Sequence, residues 1–491
     1  MNQTLGAPEP TSVPPELTER LGGPVGRHAR RTGVWFNPAV WAVLVAGLGW
    51  LVTIWQHKPC QQHVAGNTVN TFTRFCYSDI PVAYQNTSLG TGASPLRLTD
   101  QNWPPLTGVF IWLVQRVSAL FGADLTAPSA QQVVDGASVF LLVAAVLLFV
   151  CLLVIVACTL LMGRDSATSM ATTVAGRVRS WDVMFVAACP LVVASGLVSW
   201  DLFAVALCTA ALFAWAIDSR VACGVLFGLA ITAGVWPVLV LMAIGILCVR
   251  ARRVGPFAFV AGLALVTVLA VSAAVLVLFG HPWTGVVDGW TSRDAGLGSI
   301  WFILKELKVT FSSQVLSFAV IAFFAAWVGW VVLLATQVAP RRPRVGQVAF
   351  LLVAGWLVVN KVYSPQQVLW LVPLVMLARP KLADWGTWVV AELIYWAAVW
   401  GHLGTMSSPG DGGPDVVYWA AIGFRIVVLV WLCAQVSHDM RHPWDDPVRT
   451  PQVDDPIGGI LDHAPERPVS DDFRDDDRDE APHRLIAEVA R

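Results

Sequence analysis

The chain has 491 residues, of which 56% are hydrophobic and only 13% charged, against about 25% charged in ordinary soluble domains. A soluble globular protein is thereby excluded, and the class is an all-α polytopic membrane protein. A formal net charge of -1 offers no field that would recruit nucleic acid, so the basic residues, which sit in short groups beside apolar runs, read as topology signals.

Residues 1–33 are rich in Pro, Gly and charge and end in "GRHARR". By the positive-inside rule this segment is cytoplasmic, and the first span, "NPAVWAVLVAGLGWLVTIW", runs outward from it. No small-residue cleavage site follows, so an anchored helix is expected in place of a removed signal peptide. The stretch from Gln56 to about Gln132 is then the first extracytoplasmic loop. Within it "PPLTGVFIWLVQRVSALFG" has apolar residues at helical spacing broken by Arg116, which predicts a helix lying along the membrane surface.

From Val133 the apolar segments follow one another to about residue 435. Arg164, Arg177 and Arg179, then Asp218 with Arg220, "RARR" (250–253), "RRPR" (341–344) and "RPK" (379–381) mark successive inner loops. Segment lengths and flanking charges predict about twelve spans over 34–435, some of them short, with both termini cytoplasmic. The remainder, 436–491, is rich in proline and carries "DDFRDDDRDE"; its composition predicts a disordered acidic tail, and the D-x-D within a run of like charges is a chance match.

Seven of the nine cysteines lie in apolar segments, where the thiol behaves as a small hydrophobe. Cys60 and Cys76 lie in the first loop, where an oxidising compartment allows a disulfide that pins the approach to Asp79.

On this topology the unusual polar residues gather on the outer side: "CYSDIP" with Tyr77 and Asp79; "SWD" with Trp200 and Asp201; "HPWTGVVDGWTSRDAGLGSIW" with Arg293, Ser299 and Trp301; and "NKVYSPQQ" with Lys361, Tyr363, Ser364, Gln366 and Gln367. Ionisable groups at the margin of a membrane are costly, so a cluster of them marks a site. Each has a plainer reading too. Lys361 could snorkel to the headgroups, Asp201 could cap a helix, the tryptophans could anchor the interface, and Asp79, with no helix starting directly after it, could be a turn residue before Pro81.

The chain has no Walker A lysine, dinucleotide fingerprint or metalloprotease histidine pair. An outward site of cations and carboxylates suits a lipid-linked sugar phosphate, whose leaving group needs cationic stabilisation while a carboxylate takes a proton from the acceptor hydroxyl. In that reading Asp79 is the base. Lys361 and Arg293, extended by Gln366, Tyr363 and Ser299, bind the donor phosphate, and Tyr77, Trp200, Asp201 and Trp301 contact acceptor or sugar. No dense oxygen cluster of the kind magnesium or calcium uses is evident, so neither metal nor other cofactor is expected. A lipid or solute transporter, with Glu392 as its main buried acid, and a noncatalytic partner of envelope enzymes docking through its tail are the competing readings. Transporters commonly place their polar residues near the midplane, whereas Glu392 is expected to pair with a neighbouring polar group.

"YSDIP", "NWPPLTG", "SWDLFAVAL", "GVWPVLVL" and above all "NKVYSPQQVLWLVPL" resemble glycosyltransferase family 87, over roughly residues 20–435; "LGGPVGRHA" (21–29) is similar to one actinobacterial subgroup. The resemblance implies a GT-C-type bundle in the plasma membrane and an extracytoplasmic site. It implies inverting transfer of mannose, or arabinose in some members, from a polyprenyl-phosphate donor to an envelope glycolipid or polysaccharide. It also implies Asp79 as base. Ser199 and Gln367 stand where many relatives carry Asn and Tyr.

Overall fold

The computed structural model describes residues 37–62, 64–66, 69–98, 103–163, 181–280, 283–406, 415–449, 454–462 and 464. The basic segment ending at Arg31, the loop arginines Arg164, Arg177 and Arg179, Asn102 and the acidic block of the tail lie outside them.

Among the described residues the secondary structure is helical throughout, with no strand. Chain order gives α1 (Pro38–His57), α2 (Asp79–Asn86), α3 (Pro105–Leu120), α4 (Ala130–Met162), the short α5 (Met184–Ala187) and α6 (Pro190–Ser195), α7 (Asp201–Ala216), α8 (Arg220–Ala233) and α9 (Pro237–Arg250). There follow α10 (Val254–Phe279), α11 (Thr284–Thr291), α12 (Ile300–Glu306), α13 (Ser313–Leu333), α14 (Val345–Val359), α15 (Val372–Ala378), α16 (Leu382–Met406) and α17 (Val416–Arg441). Their ends follow local chemistry. Asn37, Ser129, Ser312 and Asp415 accept backbone N–H groups at the starts of α1, α4, α13 and α17, and Pro237 begins α9 where its missing N–H has no intrahelical role.

Five helical segments are long and apolar enough to cross a membrane: Pro38–Cys60, Ala130–Met162, Val254–Phe279, Ser313–Val338 and Val416–Arg441. Seven more apolar segments are 10–17 residues long, short of the ~20 that a lone helix needs to span a bilayer. Gly/Pro junctions such as "GVWP" divide the apolar runs into these shorter pieces. Along Val254–Phe279 Leu265, Leu269 and Val277 are exposed, and a helix apolar on its outward face is the form that lipid accepts. By contrast α14 is buried along nearly its whole length and packs against α9, α13, α15 and α17.

The amphipathic helix expected around Arg116 is α3. It packs Phe110, Ile111 and Val114 inward against α4 and α8 and leaves Leu113, Leu120 and Phe121 exposed. The seven cysteines of the apolar segments are all buried and free.

The tail departs from expectation. The chain does not lose its core at 436: α17 continues to Arg441, and Val448, Ile457, Leu461 and Ala464 are buried. Arg344, wholly buried, forks onto both oxygens of Asp446 (2.8 and 2.9 Å) and donates to the carbonyls of Leu377 and Ala378. Asp455 accepts from Val345 N (2.8 Å), and Trp215 Nε1 donates to the Gly458 carbonyl (3.1 Å). Composition averages the acids of this segment as solvated charge, whereas here they have specific partners in the "RRPR" loop.

Candidate functional site

The first loop is fastened in three places. Cys60 and Cys76 form the expected disulfide, with Cα atoms 5.8 Å apart. Gln56 Nε2 donates to Phe75 O (2.8 Å) and Arg74 to Pro59 O (2.9 Å). Beyond Cys76, Ser78 Oγ donates to Leu197 O (2.5 Å) and Asp79 N to Val198 O (2.8 Å). The loop is thereby laid against the turn that carries Ser199, Trp200 and Asp201. A helix does begin at Asp79, contrary to the turn reading: Ser78 is its N-cap, accepting from Ile80 N, and Asp79 is the first residue of α2.

The other two segments join the same assembly. Ser195 Oγ donates to Pro365 O, Gly296 N to Lys361 O (2.7 Å) and Trp290 Nε1 to Asn360 Oδ1 (3.2 Å). All four polar segments picked out in the sequence therefore meet. The fit between the third and fourth needs a glycine. Gly298 has φ +77°, and a Cβ there would run into the Tyr363 carbonyl and the Tyr395 hydroxyl.

Between these segments lies a cavity of about 990 Å³. Its wall includes six tryptophans (Trp103, Trp200, Trp236, Trp290, Trp356 and Trp370) together with Thr107, Phe324, Asn86, Asn360 and Gln367. The ionisable groups on it are Tyr77, Asp79 and Asp201. Asp201, at the start of α7, accepts from Ser199 Oγ at one oxygen and from Trp370 Nε1 (2.6 Å) at the other. Both of its oxygens are thus oriented by the protein. Asp79 lies beside the Tyr77 hydroxyl. Burial raises its pKa above the ordinary carboxylate range, and the negative charge of Asp201 adds to that, while the Tyr77 hydrogen bond opposes it. Tyr77 is itself held by stacking on Phe72 (4.9 Å) and packing against Trp400 (5.2 Å). Trp200 meets Phe110 and Phe140 edge-on, and Trp236 stacks on Trp370 at 5.3 Å and 12°.

Of the residues expected at the site, Tyr77, Asp79, Trp200 and Asp201 line this cavity, as does Gln367, to which no role was assigned. The others do not, for identifiable reasons. Lys361 is buried with its ammonium turned away: Nζ donates to Ser317 Oγ (2.7 Å) and Thr291 O (3.2 Å) and lies 4.4 Å from the centre of the Trp290 ring. It reaches the cavity only through that ring. Arg293 is exposed, three residues past Trp290. Gln366 is one step out of register with Gln367.

Tyr363 is fully buried, and its hydroxyl donates to Glu392 Oε1 (2.9 Å). Glu392 is ion-paired with Arg425 (2.8 Å), whose guanidinium lies between the rings of Tyr363 and Tyr395. The expectation that Glu392 is structurally paired is met, by an arginine that local sequence could not name. Ser299 caps α12 and donates to Gly296 O; Trp301 Nε1 donates to Val359 O (2.9 Å). Both organise the loop instead of lining the cavity.

Asn360, Trp236 and Trp370 were assigned no role from the sequence, although they stand in or beside the quoted phrases "NKVYSPQQ" and "GVWP". Among the described residues no group of three His, Cys, Asp or Glu side chains is placed to hold a metal ion. No protein-family model matches the chain, and no curated protein matches it.

Proposed function

We propose that this protein is a membrane glycosyltransferase that moves a sugar, mannose in the first instance, from a polyprenyl-phosphate donor to an envelope glycolipid or polysaccharide with inversion. The observation that carries the reading is Asp79, a carboxylate of raised proton affinity set on the wall of a tryptophan-rich cavity beside a second, fixed carboxylate. The family 87 resemblance of the same segments supports it. In this reading the chain is a GT-C-type bundle of about twelve crossings in the plasma membrane, the shorter helices taking part in the crossings. Both termini are cytoplasmic and the cavity is extracytoplasmic.

The chemistry follows from the wall. The acceptor hydroxyl gives its proton to Asp79 as its oxygen attacks the anomeric carbon. The bond from that carbon to the phosphate oxygen breaks, and the polyprenyl phosphate leaves with the electron pair. Asp201, held by Ser199 and Trp370, is acceptor-only when ionised and suits sugar hydroxyls. Tryptophan faces suit the C–H face of a pyranose and exclude water. Lys361 is removed from the phosphate clamp by its own hydrogen bonds, which leaves Arg293, exposed beyond Trp290, as the cation of the original pair able to approach the phosphate. No metal is assigned a role, and a strict divalent-cation requirement would contradict that part of the reading.

The test is transfer by the purified protein in detergent, supplied with radiolabelled polyprenyl-phosphate mannose and a crude envelope lipid acceptor. Labelled glycolipid formed in proportion to enzyme is expected. Protein-dependent movement of labelled lipid across a vesicle membrane without transfer would favour the transporter instead.

A further inference from the structure

We propose that the side-chain amides of Asn360 and Gln367 are substrate-binding groups, giving N–H donors to oxygen atoms of the lipid-linked sugar phosphate. This deepens the transferase reading and rests on it for the ligand. Asn360 is 4% exposed and lines the cavity. Its Oδ1 accepts from Trp290 Nε1 (3.2 Å) and from Lys361 N (2.9 Å). An amide oxygen has two lone pairs, so these two donors both occupy it and fix which end of the amide is oxygen. The NH₂ end then points away from them, and among the described residues it has no protein partner.

Gln367, seven residues further along the chain, is held at its oxygen by one donor. Its Oε1 accepts from Ser364 N (3.0 Å) and closes the turn, which leaves its NH₂ for the cavity it lines. Both NH₂ groups border the cavity, and an occupant of the cavity supplies their acceptors. The polar wall is therefore sorted by type. Asp79 and Asp201 accept from hydroxyls, while the two amides donate to sugar or phosphate oxygens. Lys361 serves the second set indirectly: its ammonium lies 4.4 Å from the centre of the ring whose Nε1 orients Asn360.

Asn360→Asp and Gln367→Glu keep the carbonyl acceptor that each turn needs, replace the donor NH₂ by oxygen and, when ionised, add a negative charge. The measurement is equilibrium binding of polyprenyl-phosphate mannose, and of polyprenyl phosphate without sugar, to the full-length protein in nanodiscs. Each variant should bind the sugar-bearing lipid at least about tenfold more weakly, through one lost hydrogen bond to a charged or buried oxygen and the repulsion of the new carboxylate. If the bare lipid phosphate is weakened equally, the contact is to phosphate; if it is not, to a sugar hydroxyl; both sustain the assignment. Binding within twofold of wild type by both variants overturns it. Gln367→Glu, on a partly exposed turn, keeps the test open should Asn360→Asp fail to fold. Transfer by wild type in the same preparation reports on the other premise. Amide-dependent binding without any transfer keeps the assignment and sinks the transferase, and a wild type that binds neither lipid sinks both.

Discussion

The two ends of α14 handle charge in opposite ways. At its start Arg344 is enclosed with Asp446, each at 0% side-chain exposure, and the pair is answered by the Leu377 and Ala378 carbonyls and the Gln347 amide. At its finish, about 22 Å away along the helix axis, Asn360 faces a cavity whose carboxyl groups, those of Asp79 and Asp201, have no cation within salt-bridge distance among the described residues. Charge that is paired inside the fold holds elements together, whereas charge left facing a void is available to a ligand. The Arg425–Glu392 pair belongs with the first kind although it lies close to the cavity segments.

The sharpest way to sharpen this contrast is to neutralise one acid at each end. Asp79→Asn should lower transfer about 10²–10⁴-fold while the melting temperature stays near that of wild type, because the change removes a base and little volume. Asp446→Asn should do the reverse. It leaves the Arg344 guanidinium buried without its counter-charge, which costs about 3–5 kcal/mol, read as a large fall in melting temperature with transfer per folded molecule unchanged. Equal loss of stability in both variants would erase the distinction.

The pH profile breaks the cavity end into its parts. Asp79 holds its proton to a higher pH than a free aspartate, through burial and the field of Asp201. As the base must be ionised, kcat/KM should fall as pH drops through that raised value. Asp201→Asn removes the neighbouring charge and should move the acid limb to lower pH. An acid limb that does not move would mean that the two carboxylates do not sense one another.

The smallest effect is expected at Lys361. Lys361→Met removes a cation–π contact and two hydrogen bonds but no substrate contact, so KM for the donor should rise about two- to fivefold with kcat little changed. A loss as large as that of Asp79→Asn would return the ammonium to the phosphate.

Much of this was legible in the sequence where the signal is local or compositional. Apolar length marked the long helices, the loop position of Cys60 and Cys76 marked the disulfide, and four polar phrases marked segments that do meet. What was not legible is the direction in which a side chain points and the identity of a distant partner. Lys361 sits in the right segment, yet Ser317, far along the chain, draws its ammonium behind Trp290. Tyr363 is two residues further on and is captured by Glu392 and Arg425. The tail looked solvated because its acids were counted without Arg344, which meets Asp446 from 102 positions away. Asn360 drew no notice because an uncharged amide carries no signal until its carbonyl is seen to be occupied.

The most direct measurement is sugar transfer from polyprenyl-phosphate mannose by wild type and Asp79→Asn side by side, with donor binding measured on both. Product is expected from wild type alone and donor binding by both within about threefold, since the base acts after binding. Product from Asp79→Asn at the wild-type rate would contradict it.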